Sequence, residues 1–260
     1  GRRHRPANHG NTVGQVDVTL TAPSIDAASP WAVLPIKSMQ SAKQRLRTIL
    51  TTTERQSLFQ AMVSDVITAI SQSTGLAGLA IVTRDPSVRS LARHANARFI
   101  QCDLDQGQSL AVAAAAKSLK AEGVTRMVTI PGDVPLLTGA EIDSLCATLE
   151  HPQTMSLVPN RDGTGTNSIA CSLPCAIPLS FGEASLHKHL TAAKNRGLQT
   201  RVVRLPGLSL DLDVCSDLVE FLKHDVSTAS RTFLLDSGIA HRICTMPILE
   251  SAYNMTGTDH

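Results

Sequence analysis

Residues 31–46 read WAVLPIKSMQSAKQRL, an apolar run broken by a proline and followed at close spacing by Lys37, Lys43 and Arg45. The stretch from Trp31 to Ile36 has the length and composition of a strand buried on both faces, the kind found in sheets with helices on each side. In open sheets of that type, ligands collect beyond the C-terminal ends of the strands. A cationic loop in that position suits the negative charge of a polyphosphate, but it also suits the solvated basic start of a helix. The two readings separate on whether isolated carboxylates stand at other strand ends. They do, at Gly132-Asp133 and at Asp211-Leu212-Asp213.

Outward from residue 31, strand and helix signals alternate. Strand-like runs lie at 31–36, 77–83, 97–100, 126–130, 154–158, 168–172 and 200–205, and helix signals at 52–73, 87–95, 108–121, 139–149, 184–196 and 214–223. The clearest helix starts after Thr51, with Glu54 three residues on as in a capping box. Leu58, Phe59, Met62, Val63, Val66, Ile67 and Ile70 then recur at helical spacing and make one buried stripe. Such alternation predicts a three-layer α/β/α sandwich around a mainly parallel sheet. Residues 1–29 read as a flexible leader and 30–225 as the folded domain. Residues 226–260 read as a C-terminal extension: an arm packed on the domain, a homodimer contact or a tail.

Composition narrows the class. A chain of 260 residues can bury a substantial core, and 42% apolar with only 3% aromatic residues means a core of Val, Leu, Ile and Ala. A net charge of +2 is too near neutral to imply a nucleic-acid partner. Cys102, Cys146, Cys171, Cys175, Cys215 and Cys244 form no CxxC pair, so they read as reduced thiols of a cytoplasmic protein rather than zinc ligands. No apolar run approaches the roughly 20 residues of a membrane span. No apolar segment backs Arg2, Arg3 and Arg5, so no secretory signal is expected.

Four stretches carry chemistry. In IPGDVPLL (130–137), Asp133 follows a buried strand, where a carboxylate is costly unless paired or bound to a metal, and Gly132 would let the backbone approach a ligand; a helix N-cap or turn aspartate reads equally well. Magnesium on a triphosphate needs only one or two protein carboxylates. In LDLDVCSD (210–217), Asp211 and Asp213 are expected to point to opposite sides unless a turn intervenes; one would reach a metal and the other cap the helix from Val214, or the pair forms a plain capping turn. Asp217 is expected on that helix's solvated face. RDGTGTN (161–167) fits neither the P-loop nor the dinucleotide fingerprint, yet it offers either a donor-rich rim or a hairpin-type turn. SFGEASLHKHL (180–190) places Ser180, Gly182 and Ser185 before a helix, a natural anion position. His187 and His189, two apart on that helix, share no face and read as structural or surface residues. No GxSxG elbow, HExxH or EF-hand loop occurs.

Taken in order, LPIK…AKQRL, TRDP (83–86), PGDVPLL, DGTGTN, SFGEASLHKHL and LDLDVCSDL make the chain resemble the 2-phospho-L-lactate guanylyltransferase family of coenzyme F420 biosynthesis, among the MobA-like nucleotidyltransferases, over about 31–223. The resemblance implies a Rossmann-like nucleotidyltransferase fold. It also implies transfer of GMP from GTP to 2-phospho-L-lactate, phosphoenolpyruvate or 3-phospho-D-glycerate, with release of pyrophosphate. By position it implies Mg²⁺ on Asp133, Asp211 and Asp213, with Lys37 and Asp133 as the catalytic pair. Thr166, Gly182 and Ser185 would hold the acid, and Leu34, Pro35, Lys37, Lys43 and Ser109 the nucleotide. It further implies that the product passes to the next enzyme of that pathway. The chain departs from the family's common Gly-Leu-Asn at Gly107-Gln108-Ser109. Two other readings stand beside this one: a nucleotidyltransferase of the same fold with another nucleotide or acceptor, and a non-catalytic GTP-binding module.

Overall fold

The computed structural model describes residues 29–38, 43–102 and 107–245. The expected leader lies almost wholly outside the described residues, as does the end of the C-terminal extension.

Seven strands form one sheet: β1 (Trp31–Pro35), β2 (Gly78–Thr83), β3 (Arg98–Gln101), β4 (Arg126–Thr129), β5 (Thr154–Pro159), β6 (Thr166–Ser172) and β7 (Gln199–Val202). Their order is β3-β2-β1-β4-β6-β5-β7. All neighbours pair in parallel except β6, which runs antiparallel to both β4 and β5. The mainly parallel three-layer expectation therefore holds. Side chains alternate between two cores, as strand geometry requires. Ala32, Leu34, Leu79, Ile81 and Val128 face one cluster, while Val33, Ala80, Val82 and Met127 face the other.

The first cluster is covered by α1 (Thr52–Gln72), α2 (Arg89–His94), α4 (Gly139–Ala147) and α7 (Cys215–Leu222); the second by α3 (Gln108–Ala121) and α5 (Ser185–Asn195). A short α6 (Pro206–Ser209) precedes α7. The Thr51–Glu54 capping box at α1 is present.

Past residue 225 the described residues form two more helices, α8 (Ala229–Asp236) and α9 (Ile239–Thr245), of which α8 packs on α1. Leu234, Ile239, Ala240 and Ile243 are buried in the first cluster. Asp65 on α1 fixes the start of α8, accepting from the N–H groups of Ala229 (2.7 Å) and Ser230 (2.9 Å) and from the Ser230 hydroxyl. Those N–H groups have no intrahelical acceptor. Asp65→Ala is expected to cost about 1–2 kcal/mol, within the range for losing a helix cap. A thermal melt should show it as a drop of a few degrees with activity retained per folded molecule.

A second carboxylate pins the loop after α1. Asp143 on α4 accepts from the Ser73 hydroxyl, from the N–H groups of Thr74 and Gly75, and from the Thr74 hydroxyl. These bonds, that of Ser73 foremost, hold its carboxyl down to about 2 against the opposing effect of burial. A carboxylate pKa lowered by folding stabilises the native state above its unfolded value and loses that contribution as pH falls through the folded one. Asp143→Asn should therefore melt below the wild type at pH 6, and the gap should close between pH 4 and 2. Equal melting at pH 6 would contradict this.

Candidate active site

The sheet order sets the position of the site. From β1 the chain steps outward to β2 and β3, then returns to place β4 on the other side of β1. The crevice where the order reverses lies beyond the C-terminal ends of β1 and β4. Lys37 stands two residues past β1, and Asp133 four past β4. Because β6 runs antiparallel to β4, its start, not its end, lies at this edge. That is how a glycine-rich turn preceding a strand reaches a site built from strand ends.

A cavity of about 500 Å³ opens here, walled by Lys37, Arg45, Asp133, Thr166, Gly182, Ser185, Asp211 and Asp213 among others. A smaller one, about 160 Å³, lies beside it between the ends of β1 and β2 and the start of α3, lined by Pro35, Ile36, Thr83, Arg84 and Gly107. Lys37 and Gln108 line both, so the two form one cleft.

Five carboxylates, those of Asp133, Asp162, Glu183, Asp211 and Asp213, line the larger cavity, against the basic side chains of Lys37 and Arg45. Lys43 supplies a third positive charge from below. Its ammonium donates to Asp133 Oδ2 at 2.6 Å and to Asp213 Oδ1 at 2.7 Å, with only 3% of its side chain exposed. Burial works against that charge, but Asp133 and Asp213 outweigh it and raise the Lys43 pKa. Asp213 is held below the usual carboxylate value despite burial, by Lys43 first and then by Arg45 and Lys37. Asp211 goes the other way: burial and the adjacent charge of Asp133 push its carboxyl up, although Asn167 donates to it at 3.1 Å.

Asp211 and Asp213 reach the same cavity, which corrects the expectation that they diverge. In extended backbone, residues two apart share a face, and the intervening Leu212 has no exposed surface and points into the core. The Leu212 N–H donates to the Asp133 carbonyl at 3.1 Å and clips the segment beside the β4 loop. Neither carboxylate caps α7. Asp217 does, accepting at 2.9 Å from the N–H groups of both Asp213 and Val214. It is buried rather than solvated, and its other oxygen pairs with Arg161 at 3.1 Å. One side chain thus ties the glycine-rich turn to the segment bearing Asp211 and Asp213.

Next to that segment, RDGTGTN is both a hairpin turn and a rim of the cavity. Asn160 N–H donates to the Gly165 carbonyl, Gly165 N–H returns to Asn160 Oδ1, and Asp162 caps Thr164. The Thr166 N–H donates to Ser185 Oγ at 2.8 Å, joining β6 to the first turn of α5. Gly182, at φ +116, holds the loop before α5 in a conformation that a side chain would strain.

Other expectations need revising. Leu34 has no exposed surface and packs in the core; Pro35 and Ile36 after it line the cleft instead. Ser109 lines neither cavity: its hydroxyl accepts from Phe181 N–H at 2.9 Å, tethering the 180–185 loop to α3. A Cβ on Gly132 would meet Val63 at 3.3 Å, so that glycine serves packing against α1 rather than ligand approach. His187 is exposed, as expected of a surface residue, whereas His189 is wholly buried against Thr166.

Among the described residues, no helix is long and apolar enough to cross a membrane. Nor do three or more His, Cys, Asp or Glu side chains gather closely enough to form a ready-made metal cage.

The phosphoenolpyruvate guanylyltransferase of Conexibacter woesei is 32% identical over 194 residues, covering 73% of this chain and 86% of that protein. The 2-phospho-L-lactate guanylyltransferase of Methanothermobacter thermautotrophicus is 28% identical over 204 residues, 78% of this chain and 88% of that one. A solved nucleotidyl transferase from Methanothermobacter superposes with a TM-score of 0.57 at 16% identity, over 80% of this chain and 99% of that one, which speaks to the fold alone. The family match covers residues 31–252 and so takes in α8 and α9, well past the expected limit near residue 223. The chain is a nucleotidyltransferase of the guanylyl transferase CofC-like family.

Proposed function

We propose that this chain transfers GMP from GTP to the phosphate of a small phosphorylated three-carbon acid in coenzyme F420 biosynthesis and releases pyrophosphate. The observation that carries this reading is Lys37, which lines both cavities of the cleft and shares the larger one with the carboxylates of Asp133, Asp211 and Asp213 and with Thr166 and Ser185. The smaller cavity suits a base and the larger a phosphate chain with the acid alongside. The two relatives' names supply the acceptor class.

The surplus of carboxylates over basic side chains around the larger cavity would repel a triphosphate and a phospho-acid unless cations came with them. Burial raises the Asp211 carboxyl most, and the charges of Asp133 and Asp213 add to it. Hard oxygen donors fit Mg²⁺, and one or two carboxylates suffice when phosphate oxygens and water complete the shell. Asp133, Asp211 and Asp213 would hold it. Once bound, Mg²⁺ would neutralise and align the phosphate oxygens.

Lys37 would bridge the α-phosphate and the incoming phosphate, countering the like-charge repulsion that dominates the barrier. Thr166, Gly182 and Ser185 would fix the acid for in-line attack. A phosphate nucleophile already ionises near neutral pH, so a dedicated base is unnecessary.

The test is to incubate the protein with GTP, Mg²⁺ and phosphoenolpyruvate, 2-phospho-L-lactate or 3-phospho-D-glycerate in turn, measuring pyrophosphate and product mass. One acid should yield the guanylylated product. Equal turnover of CTP would defeat the guanylyl reading, and silence with every acid would defeat the acceptor class.

A further inference from the structure

The wall expected to meet the acid is held by a chain of hydrogen bonds with a fixed direction. Ser185 and His189 are four residues apart on α5 and so share a face; neither has any exposed surface. Both turn toward Thr166 at the start of β6. The Ser180 N–H approaches His189 Nε2 at 2.9 Å, and His189 Nδ1 lies 3.0 Å from Thr166 Oγ1. A backbone N–H can only donate, so Nε2 is the bare ring nitrogen and the proton sits on Nδ1. Nδ1–H therefore donates to Thr166 Oγ1. The Thr166 N–H in turn donates to Ser185 Oγ. Each hydroxyl thus accepts from a fixed donor and keeps its own hydrogen to give away.

We propose that His189 is a positioning residue whose Nδ1–H tautomer orients the Thr166 hydroxyl so that it presents its hydrogen to an anionic oxygen, carboxylate or phosphate, in the cavity. The proposal rests on the phospho-acid reading above and adds what that wall selects: an acceptor group rather than a donor. The surroundings favour a neutral, immobile ring. The Phe181 ring meets it edge-on, with centroids 5.5 Å apart, and Ser109 anchors the Phe181 backbone. Burial, with a smaller effect of the Lys188 charge, pushes the His189 pKa down to about 4, so the ring stays uncharged at neutral pH.

Two amides separate the ring's functions. Gln reaches the Nε2 position and can satisfy Ser180, but it abandons Thr166. Asn reaches the Nδ1 position and can donate to Thr166. His189→Gln should raise KM for phosphoenolpyruvate about tenfold, the scale of one misdirected hydrogen bond, with KM for GTP little changed. His189→Asn should recover most of that loss. Thr166→Val should match His189→Gln, and the double variant should be no worse than Thr166→Val alone. Equal losses in Gln and Asn, or full additivity with Thr166→Val, would overturn the proposal.

Long-range ¹H–¹⁵N spectra of the wild-type protein, with His189 assigned by the resonance missing in His189→Asn, provide a readout independent of activity and of any folding defect in the variants. The Nδ1–H tautomer is expected, and an Nε2–H ring defeats the inference whatever the enzyme turns over. Absence of turnover with every acid, alongside an Nδ1–H ring, would instead count against the acceptor reading and remove the ligand this proposal names.

Discussion

Asp133→Asn is expected to lower kcat by about 10³-fold or more, the scale of removing a central electrostatic contact from a phosphoryl-transfer site, while the protein stays folded. Asp133 stands at the crevice between β1 and β4, accepts from Lys43 at 2.6 Å and crowds Asp211 from the neighbouring segment. Asn preserves shape and one oxygen but removes the charge a cation would meet. The substitution should act on turnover more than on binding, because the charge matters most when phosphate meets phosphate. Initial rates of pyrophosphate release, with a thermal melt to confirm folding, make the check. A variant within tenfold of wild-type kcat would remove Asp133 from the chemistry.

The sheet was readable because both-face-buried strands such as Val33-Leu34 and Ile81-Val82 stand out as short apolar runs between helix signals. The strand-end rule then pointed to Lys37 and Asp133 without any knowledge of topology. What could not be read depends on contacts between residues distant in sequence. Lys43 reads as a cation held out to a nucleotide, and nothing in the sequence shows it buried between Asp133 and Asp213, because those partners lie 90 and 170 positions away. Asp211 and Asp213 read as divided between two tasks only if neighbours two apart on an extended segment are assigned opposite sides. Period-two spacing with apolar Leu212 between them is the signal that places both on one side. The sequence reads His189 as a structural or surface residue, and the structure makes it a structural one. The informative spacing was Ser185 to His189, one helical turn, which only a partner at Thr166 makes meaningful. Helices α8 and α9 are short and carry few periods of pattern, although Thr228 before α8 is an N-cap signal, and its side chain does accept from Arg231 N–H.

Lys43→Met should be the more revealing substitution, since it asks what a buried lysine is doing between two carboxylates. Lys43 takes a left-handed backbone conformation (φ 54), unfavourable for a residue with a Cβ. Its ammonium is gripped by Asp133 and Asp213, which makes such a conformation tenable. Met keeps the length and loses the charge, leaving Asp133, Asp211 and Asp213 with Lys37 and Arg45 as the basic side chains lining the cavity among the described residues. Breaking a fully buried pair costs about 3–5 kcal/mol; since Asp133 and Asp213 keep 24% and 41% of their side chains exposed, water should screen the loss to about 1–3 kcal/mol. Turnover should fall about 10²-fold, as the carboxylates lose their fixed spacing. The decisive measurement is the melting temperature with and without millimolar Mg²⁺. Lys43 already neutralises part of the cluster, so added cation should raise the variant's melting temperature more than the wild type's, by mass action on a site that now lacks its internal cation. Equal shifts in the two proteins would mean that Lys43 and a metal ion do not share these carboxylates, and would leave Lys43 as a structural tie between the loop after β1 and the segment before α7.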